Sequence, residues 1–98
     1  MKIKILSAAE DDIEEGYRFY ESQDSGLGSY FLDSLYSDID SLAYFGVMHR
    51  VVMGHYRLLA KRFPFAVYYR IIGHEVVVFA VLDCRSNPSW ARTRLAKG

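Results

Sequence analysis

The chain has 98 residues, 51% of them hydrophobic and 15% aromatic, with twelve Lys and Arg balancing twelve Asp and Glu. That apolar content excludes a disordered chain, and the length predicts one domain spanning 1–98. No apolar run approaches the ~20 residues that span a bilayer, Cys84 has no second cysteine to pair with, and the charged N-terminus is unlike a signal peptide, so a cytoplasmic protein without membrane contact is expected.

Lys2 to Leu6 alternates charged and apolar residues, the period of a half-buried strand. Ser7-Ala8-Ala9-Glu10 fits a capping box, with Ser7 as N-cap and Glu10 reaching back to it. The helix that follows turns Ile13, Tyr17 and Tyr20 inward and breaks at Asp24-Ser25-Gly26. A second helix is predicted from Leu27 or Gly28 to about Tyr44. Its apolar stripe is Phe31, Leu35, Ile39 and Leu42, and its solvated side carries Asp33, Asp38 and Asp40. The short connection makes the two an antiparallel hairpin.

Phe45 to Gly54 is open to three readings: a strand, a short helix, or an apolar loop covering the core. His55 to Arg62 reads as a strand closed by Phe63-Pro64, and Phe65 to Ile72 as another. Gly73-His74 is a two-residue turn with glycine placed for a positive φ. Glu75 to Leu82 is apolar on both faces and belongs inside the sheet. Asn87-Pro88 starts a short basic terminal helix, with Asn as N-cap and Pro at the first position. The fold class predicted is α+β: an N-terminal strand, a helical hairpin on a mostly antiparallel sheet of about four strands, and a short C-terminal helix.

The balanced charge conceals a division. Residues 1–45 carry ten acids against three bases, a net of −7, and residues 46–98 carry nine bases against two acids, a net of +7. A concentrated basic surface attracts phosphate or an acidic protein. The candidate binding residues in that half are Arg57, Lys61, Arg62, Tyr68, Arg85, Trp90 and Arg92. Lys61 and Arg62, as neighbours in a strand, point to opposite faces. Trp90 and Tyr68 have rings suited to stacking on bases, although Trp90 reads first as the anchor that docks the terminal helix on the core. Arg85 either contacts a phosphate or carboxylate or forms an ion pair with Asp83. Arg85 and Lys61 are the candidate catalytic cations, with His55 a candidate for acid–base work through its near-neutral pKa. Cys84 reads as a small buried hydrophobe. No spacing of histidines suggests a metal site, and no cofactor is called for.

Three segments carry a family resemblance. Glu21-Ser22-Gln23 with Gly26-Leu27-Gly28 and Phe31-Leu32 comes first. Arg62-Phe63-Pro64-Phe65-Ala66-Val67-Tyr68-Tyr69-Arg70 is the second, and Val78 to Leu82 with Arg85 and Pro88 to Trp90 the third. In this order and spacing the chain resembles the RelE/ParE superfamily of toxins from type II toxin–antitoxin systems, in its plasmid-stabilisation branch. The resemblance implies a growth-inhibiting toxin neutralised by a cognate antitoxin, as a homodimer or a toxin–antitoxin hetero-oligomer. It implies a target in the ribosome and its mRNA or in DNA gyrase. The ribosome-dependent members are mRNA endoribonucleases. Ala66 stands where those tend to carry arginine, Asp83 where the branch usually has histidine, and Ser86 where a second arginine is common. The basic set for RNA cleavage is thus incomplete. A relative that kept only antitoxin binding is the remaining alternative.

Overall fold

The computed structural model describes residues 1–97. Among them five strands form one sheet: Lys2–Ile5 (β1), Arg50–Val52 (β2), His55–Leu59 (β3), Phe65–Ile72 (β4) and Glu75–Asp83 (β5), in the order β1-β5-β4-β3-β2. β1 lies parallel to β5 and the other pairings are antiparallel. Helices Ser7–Gln23 (α1), Leu27–Asp40 (α2) and Leu42–Phe45 (α3) precede β2, and Pro88–Ala96 (α4) follows β5. The α+β class holds, with five strands where about four were expected. The fifth is β2, drawn from the segment whose structure was left open.

The helical hairpin covers one face of the sheet. Ile13, Tyr20, Phe31, Leu35, Ile39 and Leu42, the inward positions expected from their spacing, are buried there against Leu58, Val67, Tyr69, Val76, Val78 and Val81. Two glycines set how close the helices come. A Cβ at Gly16 would stand 2.8 Å from the Phe31 ring, and one at Gly28 would stand 2.8 Å from the Tyr17 carbonyl oxygen. Glu21 secures the turn between them: its carboxylate accepts from the amides of Gly26, at 3.0 Å, and Gly28, at 2.9 Å. These are amides that the first turn of α2 leaves without helical partners.

Several expectations are corrected. Ser7 is the first helical residue rather than the cap, which is Leu6, an extended residue whose amide donates to the Val78 carbonyl. The second helix does not run unbroken to Tyr44. It is interrupted at Ser41, whose hydroxyl donates to the Asp38 carbonyl in competition with the helical ladder. Asp38 is not solvated: it is 5% exposed and accepts the Lys61 amide at 3.0 Å, tying the loop after β3 to α2. β3 accordingly ends at Leu59, and Lys61 and Arg62 lie in that loop, so strand alternation does not govern where they point. The hairpin between β2 and β3 turns through Met53 and Gly54 at φ +52° and +76°, and Gly73 turns at +64° as its placement required.

Candidate functional site

Residues paired across a sheet share a face, so the register shows what the side away from the hairpin carries. Lys2 lies beside Glu75 and Lys4 beside Val77, which in turn pairs with Arg70. Tyr68 pairs with Arg57, and Arg57 with Arg50. One sheet face therefore presents Lys2, Lys4, Arg70, Arg57 and Arg50 across four of its strands, with Glu75 as the acid among them. Beyond Val78 the β4–β5 register slips by one residue at Phe79. The Phe79 ring lies on this face, with the Arg70 guanidinium carbon 5.2 Å from its centroid and the His55 ring edge-on at 5.3 Å. Arg50 and Arg57 face each other without a carboxylate in ion-pair range among the described residues. The chemistry available here is anion binding by cations fixed on a rigid sheet.

α4 covers the far end of the same face. Leu95 is its buried residue and packs with Ala66, Tyr68, Ala80 and Leu82. Asn87 caps the helix by accepting the Ser89 amide at 2.8 Å, as expected of an Asn-Pro start. α4 is also held across the sheet edge. Where β1 ends and leaves β5 without a neighbour, Asp12 on α1 accepts the Val81 amide at 3.0 Å. The same carboxylate takes a bidentate ion pair from Arg94, at 2.7 and 2.8 Å. Arg94 is thus a fastener between two helices rather than part of an open basic surface. Between α1, the β5 edge and α4 lies a cleft of about 230 Å³ lined by Glu15, Phe19, Val81, Asp83 and Trp90.

The predicted site residues divide accordingly. Arg57 lies on the basic face. Lys61, Arg62 and Arg92 are exposed in the loop after β3 and on α4. Arg85 forms the ion pair with Asp83: Nε donates to Oδ1 at 3.0 Å and Nη2 to Oδ2 at 2.7 Å, while the Arg85 amide also donates to Oδ1. These hydrogen bonds hold the Asp83 carboxyl below the usual carboxylate range. Tyr68 is 6% exposed beneath α4, so no open stacking platform is formed by its ring. Trp90 is 48% exposed beside Arg94, and the anchor of α4 is Leu95. His55 is buried; its Nδ1 stands 3.0 Å from the Met53 carbonyl and its Nε2 has no partner. Burial pushes its pKa down. Cys84 is exposed, not buried.

Sequence reasoning missed Lys2, Lys4, Arg50 and Arg70 as members of one surface. The alternation of Lys2 and Lys4 was itself visible. What it lacked was the pairing of β1 with β5, which brings residues about 70 positions apart onto one face.

No family model matches the sequence, and no curated protein matches it significantly. Among solved structures, a chain of the chromosomal ParDE TA system from P. aeruginosa matches with a TM-score of 0.68. The match covers 83% of this chain and 92% of that one, at 19% identity. The two share a fold. That fold is the one the sequence resemblance led us to expect. No helix among the described residues is long and apolar enough to cross a membrane.

Proposed function

We propose that this chain is a RelE/ParE-type toxin of a type II toxin–antitoxin system, acting in the cytoplasm and held inactive by a cognate antitoxin. The observation that carries the reading is the fold shared with a chain of the ParDE system over nearly its whole length. The basic sheet face supports it, because Lys2, Lys4, Arg50, Arg57 and Arg70 form a surface suited to an acidic antitoxin segment or an anionic target.

Inhibition by binding fits the side chains better than RNA cleavage. Ala66 lies buried where an arginine would serve a nuclease, Arg85 is occupied by Asp83, and His55 is buried against Phe79. Two targets come with the resemblance, the translation machinery and DNA gyrase.

Induction of the chain in bacteria, with and without co-expression of a candidate antitoxin from a neighbouring gene, tests the reading. Growth arrest that the neighbouring gene relieves is the expected result. In-frame mRNA cuts would assign the arrest to ribosomal cleavage, and gyrase-trapped DNA breaks to gyrase. No effect on growth would leave antitoxin binding as the retained activity and overturn the toxin.

A further inference from the structure

The segment from Tyr44 to Met53 is built inside out. Its inward contacts are made by Gly46, which lies against Val76 and Ile71 and whose carbonyl accepts the Tyr69 hydroxyl, and by the His49 ring edge-on to Tyr69. The large apolar side chains are left outside. Tyr44, Phe45, Val47, Met48, Val51 and Met53 are exposed by 41% to 82% of their area. The two aromatic side chains alone, at about 150–250 Å² each, leave on the order of 200–350 Å² uncovered, to which Val47, Met48, Val51 and Met53 add. The largest patch on a typical monomer is roughly 300–600 Å², and one side of a stable interface covers about 800 Å². Six such side chains within ten residues approach that scale.

The strand inside this segment is also the end of the sheet. β2 is the last strand in the order, and among the described residues its outer edge has no strand beside it. Such an edge is a template for another strand.

We propose that a second copy of this chain covers the surface, by antiparallel pairing of β2 with β2 about a two-fold axis at Val51. A two-fold axis there brings the same apolar segment of each copy together. Val51 meets Val51 of the second copy on the hairpin side of the sheet. Arg50 falls opposite Val52 rather than another arginine, so the seam itself contains no like-charge pair. An acidic partner gains little here, since Arg50 is the one Lys or Arg among residues 44–53 and its side chain shares the opposite sheet face with Arg57. The dimer would carry one ten-stranded sheet, with the two Arg50–Arg57 pairs flanking the seam on the basic face. Those four guanidinium groups oppose association, so added salt should strengthen the dimer by screening them. Head-to-tail association of the acidic and basic halves would show the opposite dependence.

Sedimentation velocity of the full chain, over a concentration series at low and high salt, tests this. A doubling of the 11.3 kDa mass with concentration is expected, shifted to lower concentration by salt. Met48→Glu and Val51→Asp should each abolish the dimer. Met48 is 75% exposed, so Met48→Glu should leave the circular dichroism spectrum unchanged. A chain that stays monomeric throughout overturns the proposal. So does a dimer that survives Met48→Glu or that weakens as salt is added. If Met48→Glu leaves the dimer intact but abolishes the complex with the neighbouring gene's product, the surface belongs to that product instead.

Discussion

Arg50 and Arg57 occupy directly opposed positions on β2 and β3, two guanidinium groups on one face without a carboxylate in ion-pair range among the described residues. Like charges opposed across a sheet destabilise it by about 0.2–1 kcal/mol, and more at low salt. Arg57→Gln should therefore raise stability by a few tenths of a kcal/mol in low-salt urea denaturation while weakening binding to an acidic ligand. Fluorescence anisotropy with an acidic peptide reads the second effect. A variant that loses both stability and affinity would show that the pair is structural.

The fastening of α4 makes a graded prediction. Asp12 holds both the Val81 amide and the Arg94 guanidinium, whereas Arg94 holds Asp12 alone among its ion-pair partners. Asp12→Ala should destabilise the fold by about 2–4 kcal/mol, because it leaves a buried amide and a half-buried cation unpaired. Arg94→Ala should do less, about 1–2 kcal/mol. Urea midpoints of both and of the double variant form a cycle, and strong non-additivity is expected.

His55 predicts a pH dependence. Burial lowers its pKa in the folded protein, so the unfolded chain takes up the proton more readily. Stability is then fully present above the unfolded value near 6.5 and is lost as pH falls below it, by up to about 1.4 kcal/mol per unit. His55→Phe should flatten the profile of urea midpoint between neutral and mildly acidic pH. An unchanged slope would assign the loss to other groups.

At the crossing of α1 and α2, Gly28→Ala should destabilise by about 1–3 kcal/mol, since a Cβ there meets the Tyr17 carbonyl oxygen, which cannot swing aside, as well as the Tyr17 ring. Gly16→Ala meets the Phe31 ring, which has some freedom to shift, and should destabilise less. Thermal melts of the two variants compare them directly.

What the sequence revealed followed from local periodicity. The stripe of Phe31, Leu35, Ile39 and Leu42, the Gly73 turn and the Asn87-Pro88 start each depend on residues a few positions apart, and each stands in the structure. β2 escaped because three residues carry no period, and its own Val51, like Val47 and Met48 before it, is apolar yet exposed. The candidate site was less legible for a related reason. Arg57 and Arg85 were visible as charges, but whether a cation is free or held depends on distant partners. Arg94 is held by a residue 82 positions away, and Asp38 is buried by the loop at Lys61. Composition located the basic half of the chain correctly and could not say which of its cations face outward together.

The parallel pairing of β1 with β5 has a consequence for how the molecule comes into being. Lys2 finds its neighbour at Glu75 and Ile5 at Val78, and the last helix is fastened only when Arg94 reaches Asp12. Contacts of such sequence separation close large loops and form slowly. While a ribosome is still making the chain, the N-terminal segment must wait, with the hairpin's apolar stripe in place but no sheet to cover. The Lys2–Lys4 end of the basic face and the fastening of α4 therefore form only once β5 and Arg94 have been made.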